Sequence, residues 1–389
     1  MHGSGLFQGY HVRVQLPGTI TSVIRESRKP WLVDPETYVF AQAHRRLLDV
    51  QKDPPVVRKS IAELVLAYGA PFSDAAGRRS LTPSDFSSEV VARRAVSQVL
   101  EYQRAKFRGQ LGLFPEPYYD KYSIWDEDDA QDAARPPQRV LVPPYFFVKS
   151  LDDPWLAVNV ALLRHAIDLR KKGELIYPIL LFRSQLLSVP GVVAGIVRRY
   201  QAEKADGYLL WPDNFKEELQ TPESLKGLSR LVQDLSDSGQ RVTKLYGGFF
   251  TALLGRNGLR GFSCGLGYGA SKSAFAYGGG PPVPRYYIPR LHRAFEFEQA
   301  RGLLQANSAL FCGCNICKDV FGRNLKHFDQ MLQRGRSEYH FLTTRDAELR
   351  QISEASAKDI ATELRASHAA FPGSAAGGEY LESWAGLLS

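Results

Sequence analysis

Three of the chain's four cysteines fall within six residues, Cys312-Gly313-Cys314-Asn315-Ile316-Cys317, and His340 follows after 22 intervening residues. Thiolate and imidazole are the donors zinc prefers in a tetrahedral Cys₃His set, and a C-x-C-x-x-C turn brings three sulfurs around one point. Residues 324–333 read as a helix between the cysteines and His340. His340 is the expected fourth ligand, and His327, on that stretch, is its competitor. A disulfide reading fares worse, because three cysteines this close leave an odd partner and strained geometry. Cysteines that merely pack in a core rarely cluster so tightly. Four protein ligands leave no position for a catalytic water, so the expected cofactor is a structural zinc ion.

Two carboxylates stand where apolar stretches end. Asp34 closes Trp31-Leu32-Val33 and precedes Pro35, which stops a strand. Asp213 follows Leu210-Trp211-Pro212. Each has an ordinary alternative: an Asp-Pro turn for Asp34, and a helix N-cap before Asn214 for Asp213. A glycine-rich stretch, Gly265-Leu266-Gly267-Tyr268-Gly269-Ala270-Ser271-Lys272-Ser273, resembles a phosphate-cradling loop. It departs from the P-loop pattern, because Ser271 stands where the glycine before the lysine belongs. Its glycines can still bring backbone N–H groups near a phosphate, or form a plain surface loop. Arg285-Tyr286-Tyr287-Ile288-Pro289-Arg290, with Arg293 beyond it, interleaves cations with rings. Nucleic-acid surfaces use that pattern; equally, the tyrosines belong to a core.

Charge supports the polyanion reading. The 389 residues carry a net charge of +8, and residues 241–336 hold 14 Lys or Arg against 4 Asp or Glu. A basic half around a metal site suits nucleic acid, DNA or tRNA, or else is a solvated surface. With 44% hydrophobic and 23% charged residues the composition is that of a globular protein with a sizeable core. No apolar run reaches 18 residues, so no membrane partner is expected. Met1-His2-Gly3-Ser4-Gly5 does not open a secretory signal. Clustered thiols then point to a reducing, cytoplasmic setting.

Short apolar runs alternate with helix-like segments, an α/β pattern. Candidate strands are 11–16, 20–24, 31–34, 140–148, 176–182, 207–211, 243–247 and 261–265. Asp153-Pro154 opens a helix that Gly173 closes, and Thr221-Pro222-Glu223 opens one closed by Gly239. Eight such units predict a (β/α)₈ TIM-type barrel over residues 1–305. The alternative is an open Rossmann-type sheet, but no G-x-G-x-x-G follows an early strand. Residues 69–138 read as an insertion on the barrel face, with a helix over 87–107 whose Val90, Val91, Val96, Val99 and Leu100 point inward. A zinc-binding subdomain follows at 306–345, and then a tail at 346–389 that reads as helical to about 368, loose over the Gly/Ala-rich stretch 372–378, and closed by a last short turn.

The cysteine spacing with its later histidine resembles the tRNA-guanine transglycosylase family and its DNA-modifying relatives that insert 7-deazaguanines. Trp31-Leu32-Val33-Asp34-Pro35 is similar to the family's early strand, whose aspartate Asp34 matches; the Gly-Gly that should follow is missing. Lys244-Leu245-Tyr246-Gly247-Gly248 resembles the penultimate strand, and Gly258-Leu259-Arg260-Gly261-Phe262-Ser263-Cys264 the last. There the family reads Gly-Val-Asp-Met-Phe-Asp-Cys, so its nucleophilic aspartate falls on Ser263. Its guanine-reading aspartate has no counterpart, since Pro143-Pro144-Tyr145-Phe146 stands there. The resemblance spans residues 30–345.

The resemblance implies a zinc subdomain capping a (β/α)₈ barrel, and exchange of guanine for a 7-deazaguanine base. Such exchange breaks an N-glycosidic bond, with one carboxylate for the sugar cation and another group for the base proton. Asp34 and Asp213 are the catalytic candidates. Ser263, Gly247, Gly248, Tyr268 and Lys272 are the substrate-binding candidates, and Arg285, Arg290 and Arg293 the nucleic-acid contacts. A serine with no activating base suits hydrogen bonding. The rival expectation is a lapsed enzyme of the same fold that binds nucleic acid or a partner enzyme; a homodimer or a partner protein is the remaining partner expectation.

Overall fold

In the computed structural model the described residues are 10–13, 31–43, 47–49, 52–53, 56–76, 78–106, 139–265, 270–275, 283–333, 335–371 and 378–388. The apolar runs form parallel strands. β1 (Tyr10–Arg13) pairs with β2 (Trp31–Asp34) in parallel. β3 (Leu48–Asp49) and β4 (Val56–Val57) make a small antiparallel pair. β5 (Arg139–Leu141) lies parallel to β6 (Glu174–Ile176). The main sheet is wholly parallel, with β7 (Ile179–Arg183), β8 (Gly207–Asp213), β9 (Arg241–Lys244) and β10 (Leu259–Phe262) in the order β10-β9-β8-β7. The fold is thus mixed α/β around a four-stranded parallel sheet. A closed ring of eight strands is not shown by the described residues, and the candidate strand at 20–24 lies outside them.

Prolines explain where the strands fall short of the expected runs. The stretch 140–148 pairs only through Leu141 and again at an isolated bridge, Val148 to Phe182. Pro143 and Pro144 have no N–H for the ladder between. Pro178 likewise divides 176–182 into β6 and β7.

The longer helices among these strands are α1 (Lys59–Tyr68), α2 (Glu89–Lys106), α3 (Pro154–Asp168), α4 (Val192–Gln201) and α5 (Pro222–Ser236). Both expected N-caps are present. Asp153 accepts from the Trp155 amide at 3.1 Å, and Thr221 from the Ser224 amide at 3.3 Å. Leu225, Leu228, Leu231, Val232 and Leu235 form one fully buried stripe on α5. Each such side chain contributes about 1.5–3 kcal/mol on leaving water. On α2, Val96, Val99 and Leu100 are buried, but Val90 is 68% exposed, contrary to expectation. It sits in the first turn, ahead of the packed stripe. Two polar ties hold α2 to the strands. Gln103 exchanges two hydrogen bonds with the Val142 backbone, at 2.7 and 2.9 Å, and Arg104 forks onto buried Glu174.

Beyond the sheet, β11 (Arg285–Ile288) and β12 (Arg293–Glu296) form an antiparallel hairpin, where sequence reading expected no strand. α6 (Phe297–Ala306), α7 (Asn315–Val320), α8 (Arg336–Glu354) and α9 (Ala357–Ala369) follow. The stretch after Asn324 is a 3₁₀ helix, Leu325–Leu332. The last helix, α10 (Glu379–Leu388), buries Tyr380, Leu381, Trp384 and Ala385, so the end of the tail belongs to the core. No helix of the described residues is long and apolar enough to cross a membrane.

Candidate metal centre and strand-end site

Cys312, Cys314, Cys317 and His340 converge, with their donor atoms all within 4.8 Å of one another. The first two cysteines lie in the turn entering α7, Cys317 lies in α7, and His340 lies one turn into α8. His340 Nδ1 is 3.4 Å from Cys314 Sγ and 3.3 Å from Cys317 Sγ. Tetrahedral Zn–S and Zn–N bonds of about 2.3 and 2.0 Å put neighbouring donors roughly 3.5–3.8 Å apart, so these spacings suit such an ion. His340 Nε2 points away and bonds the Tyr287 carbonyl at 2.7 Å. A hydrogen bond there fixes the tautomer that leaves Nδ1 free as a ligand. The Tyr286 ring stacks on the imidazole at 4.5 Å, and its hydroxyl lies 3.1 Å from Cys317 Sγ.

All four cysteines are free thiols rather than disulfide partners. Without metal, the Cys314 thiol is held down by hydrogen bonds from Cys312 and Cys317. His340 is pushed up to about 9: burial opposes the rise, and bonds to Cys312 and Cys314 outweigh it. His327 is exposed, bonded only weakly to Gln330 at 3.5 Å, and stands outside the cluster.

The second centre lies at the C-terminal ends of the parallel strands. Asp34, at the end of β2, is 0% exposed. Its Oδ1 accepts the Tyr145 hydroxyl at 2.7 Å and the Glu36 amide at 2.9 Å. Tyr145 comes from the Pro-Pro stretch that broke the expected strand. Glu36 is equally buried and holds a left-handed φ of 49°. Lys272 Nζ lies 3.8 Å from Glu36 Oε1 and donates to the Tyr246 hydroxyl at 3.0 Å. The same ammonium sits over the rings of Trp211 and Tyr246, at 4.7 and 5.1 Å.

Residues 270–275 fold back over the strand ends. The Lys272 carbonyl accepts from Trp211 Nε1 and the Asn214 amide, and Asp213 accepts the Ala274 amide at 2.6 Å. Burial raises the Asp213 carboxyl, and the Ala274 amide pulls the other way. Ser263 is engaged by backbone: its Oγ accepts the Tyr246 amide at 3.1 Å, and its carbonyl accepts the Gly247 amide at 2.7 Å. Gly248 donates to Glu217 at 2.8 Å, and a Cβ there would lie 2.7 Å from that carboxylate. Tyr268 lies outside the described residues.

The structure thus brings Asp34 and Lys272 into one strand-end cluster, with Asp213 bonded to the same 270–275 segment. It adds Glu36, Tyr145, Trp211 and Tyr246, which sequence reading did not single out as site residues. Spacing gave no signal for Tyr145 or Tyr246, since their partners lie 111 and 26 positions away. Another such pair is Lys244 and Glu217, both buried, 3.6 Å apart; burial lowers the Lys244 ammonium and Glu217 opposes that. Arg285 is exposed at the start of β11, and Arg290 reaches the Ala309 carbonyl at 3.4 Å. Arg293 packs over Phe295 at 5.0 Å. Tyr286 and Tyr287 are buried, so they are core residues and not base-stacking rings. No family model and no curated protein matches the chain.

Proposed function

We propose that this is a divergent protein of the tRNA-guanine transglycosylase type, exchanging guanine for a 7-deazaguanine base in DNA or tRNA. The parallel strands would belong to a barrel of the (β/α)₈ kind, and the protein would work in the cytoplasm. Asp34 carries the reading. It is a buried carboxylate at a parallel strand's C-terminal end, the place where barrel enzymes keep their catalytic groups. The Tyr145 hydroxyl and the Glu36 amide orient it.

In base exchange the sugar gains positive charge as the N-glycosidic bond breaks, and the Asp34 carboxylate supplies the opposing charge. Glu36, two residues on, is the second carboxyl group, suited to managing the proton on the base. Ser263 positions: its oxygen already accepts a backbone amide, and no general base faces it among its bonded neighbours. Cys312, Cys314, Cys317 and His340 would hold a zinc ion that ties α7 and α8 together, with no part in the chemistry.

The direct test is incorporation of labelled guanine or 7-deazaguanine into tRNA and duplex DNA. Asp34→Asn should abolish it by about 10²-fold or more while nucleic-acid binding stays nearly intact. Exchange that survives Asp34→Asn sinks the assignment. One observation favours the non-catalytic reading: Lys272 lies between Glu36 and the Trp211 and Tyr246 rings, within the strand-end cluster. Absence of exchange in wild type and in Ser263→Asp, on both polymers, would support a binding protein on this fold.

A further inference from the structure

A cavity of about 220 Å³ opens beside the strand ends, between the β11–β12 hairpin, α8 and α10. Two buried groups lining it carry N–H donors that make no hydrogen bond among the described residues. Arg345 is 7% exposed; its Nη1 is ion-paired with Glu348, and its Nε makes no hydrogen bond. Trp384 is 2% exposed, and its Nε1–H is likewise unbonded. Both groups are donors only, so only an acceptor can satisfy them. A buried donor left unsatisfied bears the full cost of leaving water, and such groups call for a ligand or an ordered water.

Arg345 shares its one carboxylate partner with two other donors. Glu348 lies 3.0 Å from its Nη1. That carboxylate also accepts the Tyr287 hydroxyl at 2.7 Å and bonds His292 Nδ1 at 2.7 Å. The rings of Tyr287 and Phe341 lie 5.1 and 5.4 Å from the guanidinium, covering its flat faces. Its Nε is left without a hydrogen bond. Arg285 and Arg293 add two cations to the cavity wall. Two of the three acids on the wall are engaged, and the third faces a cation. Glu217 bonds Gly248 and Thr251, Glu218 lies 3.7 Å from Arg293, and Glu296 stands opposite Arg285 in the hairpin. Burial pushes up the Cys264 thiol, which therefore adds no negative charge at neutral pH.

We propose that this cavity is a binding site for a phosphate group, either on a small phosphorylated molecule or at the end of a nucleic-acid strand. A tetrahedral oxyanion offers acceptors in several directions, matching a guanidinium edge, an indole N–H and cations on the wall. A planar carboxylate offers two oxygens in one plane. Arginine forks suit phosphate because they bind it bidentately. The site does not depend on base exchange, since Asp34, Asp213 and Ser263 do not line it.

Calorimetric titration of the full chain tests the site with ribose 5-phosphate and with an oligonucleotide carrying either a 5′-phosphate or a 5′-hydroxyl. Saturable one-to-one binding of at least one phosphorylated probe is expected, with ribose silent. Ribose 5-phosphate binding points to the small-molecule source, and preference for the 5′-phosphorylated strand alone to the nucleic-acid source. Arg345→Lys keeps the charge beside Glu348 but loses the fork, and should weaken binding by about tenfold or more. Trp384→Phe keeps the ring and removes the N–H, and should weaken it by roughly threefold to tenfold. If circular dichroism shows that Arg345→Lys is unfolded, Trp384→Phe and Arg285→Gln decide. No saturation by any phosphorylated probe at millimolar concentration overturns the site, as do folded variants that bind like wild type. Tighter binding of malonate than of ribose 5-phosphate overturns the choice of phosphate.

Discussion

The two ring nitrogens of His340 face different elements: Nδ1 the thiols of Cys314 and Cys317, Nε2 the Tyr287 carbonyl on β11. Losing this residue therefore removes both a ligand and the tie to the hairpin. Purified protein should hold roughly one zinc per chain by elemental analysis, with Cys314→Ser and His340→Ala losing most of it. His327→Ala should retain it, and the reverse order for the two histidines would relocate the fourth ligand. Glu348 is the other telling residue. Burial pushes its carboxyl up, but Arg345 and His292 outweigh burial and hold it below its ordinary 4.5. A lowered carboxyl lends stability that is present above about 4.5 and lost as pH falls through the lowered value. Glu348→Gln should cost about 3–5 kcal/mol at pH 7, because Arg345 stays buried without its partner. In urea titrations its gap from wild type should narrow on acidification; a gap that is the same at pH 7 and pH 3 would contradict this.

At the scale of elements, alternation along β11 does the organising. Tyr286 points to the metal ligands, and Tyr287 points to Glu348 on α8. Consecutive strand residues face opposite sides, so four residues of strand serve both the metal centre and the cavity wall. Helix α5 shows how closely elements approach. A Cβ at Gly227 would lie 1.9 Å from the Leu187 carbonyl oxygen, in the 3₁₀ segment Ser184–Ser188. Gly227→Ala gains up to about 1 kcal/mol in helix propensity. Overpacking should outweigh that, leaving a net loss of about 1–3 kcal/mol in chemical denaturation. An unchanged or raised midpoint would mean that the helix moves away freely.

Over the whole molecule, the basic excess is concentrated in residues 241–336, the segment that carries the hairpin and the three cysteine ligands. The 14 cations of residues 241–336 include Arg285, Arg290 and Arg293, two of which line the cavity. If nucleic acid is the partner, its affinity should fall steeply with salt, since each neutralised phosphate releases counterion. Replacing Arg285, Arg290 and Arg293 by glutamate should flatten the log–log slope by about one unit for each phosphate no longer neutralised. Binding that is indifferent to salt, or absent at low salt for both tRNA and duplex DNA, would remove the polyanion reading.

The sequence by itself determined the features that rest on short-range pattern. Soft donors at fixed spacing identified Cys312, Cys314 and Cys317. Capped, striped segments identified α3 and α5, and apolar runs ending in Asp34 and Asp213 marked two strand ends. These follow from geometry within one turn or one strand. Tertiary structure decided what depends on partners far along the chain. It set His340, the ligand expected from sequence, against the thiols from the packed first turn of α8 and left its competitor His327 outside the cluster. It set Tyr145 against Asp34 across 111 positions, and laid Lys272 between Glu36 and Tyr246. It also made Tyr286 and Tyr287 core residues. Alternating rings and cations read alike in a binding surface and a buried hairpin, and only burial distinguishes them. Burial is a property of everything packed around a residue, which no local spacing encodes.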